Sequence, residues 1–445
     1  MKSLPDTTVI FVFVNEAESV LYRSIHSVLN RTPPRLLKEI ILVDDGSDAP
    51  HLQEPLERAV NALPKVRLIR LGKRSGLVKA RLAGARAATS RTITILDSHI
   101  EVQHGWLEPL MNRIRQDSHH VVMPIIDGMD GSTFEASKYG KIEVLGFLWS
   151  MVEHGIRTQK IHEDQRSSKH TDPEPSPTMA GGLFSMDREY FFRLGGYDEE
   201  FGFWGAENLE ISFRIWQCGG TIEVMPCSRV YHIFRKGGKP YKTNTGDVVK
   251  NKLRTAAIWM DDYAKYAYDL IGKNPDTFDV GPLDKMKELR KSLNCKSFSW
   301  YLENVYPENS VRILERARKR GALRSKKTNR CLDDMGQKRN MGKPEFYPCH
   351  NSGGSQSWMF TERNEIRPGR DWDRCLDGTA DKQSAFIYDC HGLGGNQKWQ
   401  LRSDGSVKHV SCNSFSFFFI FLPLYLLYKP TQFFQTGSNR TLLGR

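Results

Sequence analysis

The residues best suited to chemistry are a carboxylate and an imidazole two positions apart. Asp97-Ser98-His99 puts a hard oxygen and a ring nitrogen on one face of an extended backbone, where residues i and i+2 point the same way. That donor pair suits a divalent cation of intermediate softness such as Mn²⁺. With 13 histidines in 445 residues such a pair arises about once by chance, and the chain holds three, the others being Asp117-Ser118-His119 and Asp389-Cys390-His391. Context separates them. Only the first follows an apolar run, residues 93–96; the second ends a polar helical pattern and the third lies inside a repeat. A third ligand has to come from elsewhere. His232, in Tyr231-His232-Ile233-Phe234-Arg235-Lys236, sits beside cations able to neutralise a diphosphate, although on local sequence alone the reading as an ordinary strand-end histidine prevails.

A sheet must position these groups. Residues 8–14, 40–43, 66–71 and 92–96 read as strands, and residues 19–29, 52–62 and 77–88 as amphipathic helices between them. This βαβαβαβ alternation predicts an α/β fold with a mostly parallel, doubly covered sheet and ligands at the carboxyl ends of its strands. Asp44-Asp45-Gly46-Ser47 closes the second strand and Asp97-Ser98-His99 the fourth. Residues 155–178 read as a polar surface loop, and residues 248–271 as one helix with Trp259 and Tyr263 in the core.

The length suggests two or three domains, and 39% hydrophobic residues with 36 glycines excludes disorder, collagen and a disulfide miniprotein. Of eight cysteines none precedes Cys218 and five lie between Cys331 and Cys412, which points to a loop-rich C-terminal part in an oxidising compartment. The formal charge of +12 raises nucleic acid as a partner. However, the basic run Arg316-Ala317-Arg318-Lys319-Arg320 with Lys326-Lys327 lacks interleaved aromatic residues and reads as a linker. Beyond it lies an internal repeat of about forty residues. Cys331-Leu332-Asp333, Cys349-His350 and Gln356-Ser357-Trp358 recur as Cys375-Leu376-Asp377, Cys390-His391 and Gln397-Lys398-Trp399, the signature of a small all-β module. Residues 415–428 are aromatic and Leu-rich but interrupted by Pro423, too short for a membrane span, and carry no third Gln-x-Trp. Residues 8–14 are likewise too short for a signal or anchor.

Taken together, Asn15-Glu16-Ala17, Val43-Asp44-Asp45, Asp97-Ser98-His99, Gly105-Trp106-Leu107-Glu108-Pro109, Ala180-Gly181-Gly182-Leu183-Phe184, Trp204-Gly205-Ala206-Glu207-Asn208-Leu209-Glu210, Trp216-Gln217-Cys218-Gly219-Gly220 and the stretch from His232 to Tyr241 closely resemble the polypeptide N-acetylgalactosaminyltransferases. The resemblance implies a GT-A catalytic domain over residues 1–307, a basic linker over 308–328, an incomplete ricin B-type β-trefoil lectin domain over 329–412 and an atypical tail over 413–445. It implies Mn²⁺ on Asp97, His99 and His232. Asp45, Arg74 and Ser98 would contact the uridine nucleotide, Ala180, Gly181 and Trp204 the sugar-nucleotide site, and Arg235 and Tyr241 the diphosphate and its covering loop. Glu207 matches the family's active-site acid; as a plain helix N-terminal carboxylate it is also favoured by the dipole. The implied reaction is transfer of GalNAc from UDP-GalNAc to Ser or Thr of polypeptides with retention, the diphosphate oxygen serving as base and Arg235 stabilising the leaving group.

The same resemblance implies a GalNAc site in the second repeat, formed by Asp377, Tyr388, His391 and Asn396, whereas the first repeat has Ser355 where the amide is expected. It pairs Cys218 with Cys295, Cys331 with Cys349 and Cys375 with Cys390, leaving Cys227 and Cys412 as orphans whose partners would lie in sequence missing at the two ends. The Golgi lumen or membrane is the implied compartment, with no anchor in this chain and no nucleic-acid partner. The chain departs from the family pattern at Val14, Glu18, Ser75 and Lys79, and in a longer loop between Arg235 and Tyr241. The missing ends and the altered stretch from Arg74 to Lys79 favour a second reading, a catalytically weak or inactive homologue that acts as a carbohydrate-binding or regulatory protein.

Overall fold

Short aliphatic runs, each followed by Asp, Asn or Gly, build a set of parallel strands that end on one side of a sheet. The computed structural model describes residues 3–137, 144–156, 171–234, 245–307, 319–325, 327–336, 342–350, 354–369, 374–378, 385–391, 393–403, 406–410 and 419–422. The chain divides into two units, Met1–Asn309 and Ser310–Arg445.

In the first unit β1 (Thr7–Phe13) is central and almost wholly buried. It pairs in parallel with β2 (Leu37–Asp44), which pairs with β3 (Val66–Arg70), and on its other edge with β4 (Thr92–Asp97). Helices α1 (Glu18–Arg31), α2 (Glu54–Asn61) and α3 (Leu77–Ala87) cross over between these strands. The sheet is mixed beyond this point: Leu183–Asp187 runs antiparallel to β4 and separates it from the long strand His120–Asp130. A final strand, Thr221–Phe234, lies parallel to the latter, with its register shifted between Met225 and Arg229. Pro226, which has no amide to donate, sits in that irregularity. The end of this strand pairs with the short segment Ile100–Val102, setting His232 opposite Ile100, while Ile233 N donates to His99 O at 3.0 Å. Residues more than 130 positions apart are thus joined beside the end of β4.

The apolar pattern over residues 248–271 resolves into two helices, Thr245–Trp259 and Ala264–Ile271. The break falls at Asp261, which adopts φ 48° and turns its carboxylate to Arg290 and to the amide of Phe298. Those two bonds reward a conformation that a continuous helix would forbid.

The second unit carries the repeat. Disulfides join Cys331 to Cys349 and Cys375 to Cys390, and a third, Cys218–Cys295, lies in the first unit. Cys227 is exposed and unpaired, and Cys412 lies outside the described residues. Trp358 and Trp399 are buried, each donating its indole N–H at 2.8 Å to the carbonyl after a disulfide cysteine, Leu332 and Leu376. Lys319–Ser325, read from sequence as linker, is instead a strand, because Gly321, Ala322 and Leu323 are buried between the flanking charges. It pairs with Phe419–Leu422, so part of the presumed tail is sheet. No helix among the described residues is long and apolar enough to cross a membrane.

One buried side chain ties the helix Thr245–Trp259 to the loop at the sheet's carboxyl edge. Asn251 accepts from Gly202 N at 2.7 Å and donates to the carbonyls of Trp204 and Gly205 at 3.2 and 3.0 Å. Asn251→Ala leaves these backbone groups unpaired, so we expect a loss of about 2–4 kcal/mol, read as a lower urea midpoint with unchanged slope.

Candidate active site

The carboxyl ends of the strands bring Asp97, His99 and His232 together, with one ligand atom from each lying within 4.8 Å of the others. Asp97 is the last residue of β4, and its Oδ2 is 3.3 Å from His232 Nε2. The rings of His99 and His232 meet edge to face with centroids 4.8 Å apart. Burial works against a charge on Asp97, but the His232 hydrogen bond and the nearby His99, His232 and Arg81 outweigh it and hold the carboxyl below the usual range. One oxygen and two imidazole nitrogens at such separations fit a single divalent ion, whose neighbouring ligands lie about 3 Å apart.

Glu16, just before α1, sets the orientation of this group. Its Oε2 lies 2.9 Å from His99 Nδ1 and accepts from the Ser98 hydroxyl at 3.0 Å. A carboxylate can only accept, so Nδ1 carries the proton and Nε2 keeps its lone pair for a ligand. Ser98 is buried, with its hydroxyl given to Glu16.

That cleft, of about 540 Å³, runs from Asp45 and Arg74 past Asp97 and His99 to Trp204 and Glu207. Asp45 accepts from the amides of Ser75 at 2.7 Å and Gly76 at 3.0 Å, which fixes the loop carrying Arg74. Burial still pushes the Asp45 carboxyl up. The Arg74 guanidinium lies 6.0 Å from the Phe203 ring, and Trp204 is 45% exposed at the rim. Gly181 lines the cleft, Ala180 lines an adjoining cavity, and Arg235 and Tyr241 lie outside the described residues.

Glu207 begins the helix Glu207–Gln217 and follows Ala206, which holds φ 62°. A left-handed alanine costs about 1–2 kcal/mol, and here it turns the helix N-terminus toward the cleft. The Glu207 carboxylate is buried, 3.3 Å from Arg81 and accepting from Gly205 N at 3.0 Å. Sequence reading missed Arg81. The signal was there: it lies on the same face of α3 as Val78, Leu82 and Ala85, where an arginine is out of place unless paired.

Glu153 also escaped notice. It stands on the hairpin Val144–Leu148 and Val152–Ile156, and its carboxylate accepts from the Asn208 amide. The residue is open to the cleft, yet displacement of water around its carboxyl and then the nearby Glu207 raise its pKa to about 7, against the Asn208 bond.

In the second unit Asp377 accepts from Asn396 Nδ2 at 2.5 Å and from Gln397 at 2.9 Å, and Asn396 Oδ1 lies 3.1 Å from His391 Nε2. Tyr388, on the strand Ala385–Asp389, is 39% exposed.

Residues 8–191 match the glycosyl transferase family 2 domain, residues 164–236 the N-terminal domain of galactosyltransferase, and residues 319–414 the ricin-type beta-trefoil lectin domain. The chain is 47% identical over 384 residues to polypeptide N-acetylgalactosaminyltransferase 5 of Caenorhabditis elegans, covering 84% of this chain and 60% of that protein. Against polypeptide N-acetylgalactosaminyltransferase 13 of Homo sapiens it is 46% identical over 378 residues, 84% of this chain and 66% of the other. A crystal structure of GalNAc-T7 with UDP, GalNAc and Mn²⁺ superposes with a TM-score of 0.75 at 34% identity, covering 93% of this chain and 77% of that one. The chain thus spans about three fifths of the first of these curated relatives.

The raised Glu153 pKa has a consequence for stability. A carboxyl whose folded pKa lies above its usual 4.5 binds its proton more tightly when folded, so stability falls as pH rises from about 4.5 through 7. Glu153→Gln removes that loss while keeping an acceptor for Asn208. Because the group is solvent-exposed the gain is under about 1 kcal/mol. Thermal unfolding should show equal Tm values at pH 4.5 and a variant more stable by about 1–2 °C at pH 8.

Proposed function

Because the chain belongs to the polypeptide N-acetylgalactosaminyltransferase family, with a GT-A type mixed-sheet catalytic unit and a ricin-type β-trefoil module, we propose that it transfers GalNAc from UDP-GalNAc to Ser or Thr hydroxyls of polypeptides with retention of configuration. The observation that carries this reading is the Asp97, His99 and His232 cluster at the end of β4, opening into a cleft that has the Glu207–Arg81 pair among its lining. The three ligands would hold Mn²⁺, which when bound supplies Lewis-acid charge to the diphosphate.

The chain's own residues do the rest. Glu16 fixes the His99 tautomer. Asp45 braces the loop that offers Arg74 to the nucleotide, and Trp204 and Phe203 form the rim on which a uracil or sugar can pack. Arg81, 3.3 Å from Glu207, holds that carboxylate at the cleft, where it orients the sugar and the incoming hydroxyl. The bond between the anomeric carbon and the phosphate oxygen breaks, the acceptor oxygen bonds to the same face, and its proton passes to the departing diphosphate. Arg235 and Tyr241 complete this scheme as diphosphate-binding residues.

For the second unit we assign GalNAc binding to Asp377, Asn396, His391 and Tyr388. The support is the bonded Asp377–Asn396–His391 series beside an exposed ring. Three disulfides suit the oxidising lumen of the Golgi, the compartment expected for the family.

Purified protein with Mn²⁺, UDP-GalNAc and a Thr-rich peptide should yield a peptide heavier by one GalNAc in mass spectrometry. A folded sample that binds UDP but gives no such product would refute the reading. Glu207→Gln should lower kcat by about a hundredfold or more with UDP affinity changed only a few-fold. Glu16→Gln, which loosens His99 without touching the cleft, should weaken Mn²⁺ binding by about ten- to a hundredfold in an electron paramagnetic resonance titration.

A further inference from the structure

A second cavity, of about 420 Å³, adjoins the cleft and shares with it only Asp97, Glu153, Gly181 and Gly182. Apart from His232 its other walls are apolar, among them Met123, Ile125, Leu183 and Phe234. Among the described residues the titratable groups on its lining are Asp97, His232 and Glu153, with no lysine or arginine. Asp97 and His232 are engaged with each other at 3.3 Å. Glu153 differs. Its hydrogen-bond partner is the neutral Asn208 amide, and the cation that acts on it, Arg81, is bonded to Glu207 instead. A carboxylate without a bonded counterion among the described residues, exposed where two cavities meet, attracts a cation delivered by whatever occupies the second cavity.

With the donor nucleotide in the first cavity, the second is the adjoining space from which an acceptor can approach the anomeric carbon. We propose that Glu153 selects the acceptor, favouring polypeptides that place a lysine or arginine within a few residues of the reacting hydroxyl and disfavouring those that place a carboxylate there. This rests on the transferase reading for what fills the cleft, but the selection itself is a binding property. The apolar walls suit the aliphatic stem of the basic side chain as well as an extended backbone. The neighbouring charge of Glu207 strengthens the bias, because a second carboxylate brought in by the acceptor would face two fixed ones.

The test uses three fluorescent peptides that contain one Thr and differ at a single neighbouring position, occupied by Lys, Ala or Glu. Binding to the full chain with UDP and Mn²⁺ is read by anisotropy at pH 8 and low salt, and transfer by mass in parallel. The Lys peptide should bind about five- to tenfold tighter than the Glu peptide. Glu153→Gln should bring the ratio within about twofold, and Glu153→Lys should invert it, each variant binding UDP as the unaltered protein does. Equal binding of the peptides by the unaltered protein, failure of any of them to bind, or a ratio that survives both substitutions would overturn the proposal. Charge-ranked binding that disappears in the variants, without transfer of GalNAc, would uphold the selection and refute the transferase reading.

Discussion

The site depends on one close approach. A Cβ built on Gly182 would lie 2.2 Å from Asp97 Oδ2, so the backbone there passes against the carboxylate with no room for a side chain. This contact is a consequence of topology. The strand Leu183–Asp187 begins immediately after Gly182 and pairs antiparallel with β4, setting Leu183 opposite Leu96, and the preceding glycines are drawn across the end of β4 where Asp97 emerges. An all-parallel sheet would put a crossover there instead. The glycines also form the boundary between the two cavities, so the same contact that presses on the carboxylate lets both spaces reach it.

Titratable groups in this region meet in pairs. Glu16 answers His99, His232 answers Asp97, and the buried Arg81 answers Glu207. Taking such a pair out of water costs several kcal/mol per ion, and its mutual attraction returns that only with good geometry. At 3.3 Å the Arg81–Glu207 contact is a loose one, which is a poor arrangement for stability and a reasonable one for a carboxylate that must also engage a ligand. Glu153 has no such cation bonded to it among the described residues, and burial of its carboxyl together with the nearby Glu207 charge pushes it toward neutrality at physiological pH.

Legibility in the sequence followed the range of the interaction. The four parallel strands and three crossover helices could be read from periodicity, and Asp97-Ser98-His99 could be singled out from the other two Asp-x-His pairs because only it follows a buried strand. The structure explains why the others differ. Asp117 bonds the amide and ring of His119 within its own turn, closing a helix end rather than offering ligands. Ser98, Glu16, Arg81 and Glu153 could not be placed in the same way. Their roles depend on partners 82, 83, 126 and 55 positions away, and no local pattern says which way a side chain turns at that distance. The break at Asp261 was hidden for a related reason, since the helical period continues through it and only the distant Arg290 and Phe298 make the turn worthwhile.

The repeated module separates scaffold from site within one chain. In both copies one aspartate oxygen accepts from a glutamine amide, Asp333 from Gln356 at 3.1 Å and Asp377 from Gln397 at 2.9 Å, and each glutamine oxygen in turn accepts from the backbone of His350 or His391. These bonds, with the disulfide and the indole, are the common frame. The copies part at the other aspartate oxygen. Asp333 Oδ1 is occupied by the amide of Met335, two residues on, whereas Asp377 Oδ1 holds the side chain of Asn396, which reaches His391. With Ser355 at the matching place the first copy has no amide to hold. Its aspartate has relaxed into a turn of its own backbone, so the two copies share the frame and, among the described residues, only the second holds the bonded aspartate, amide and imidazole series.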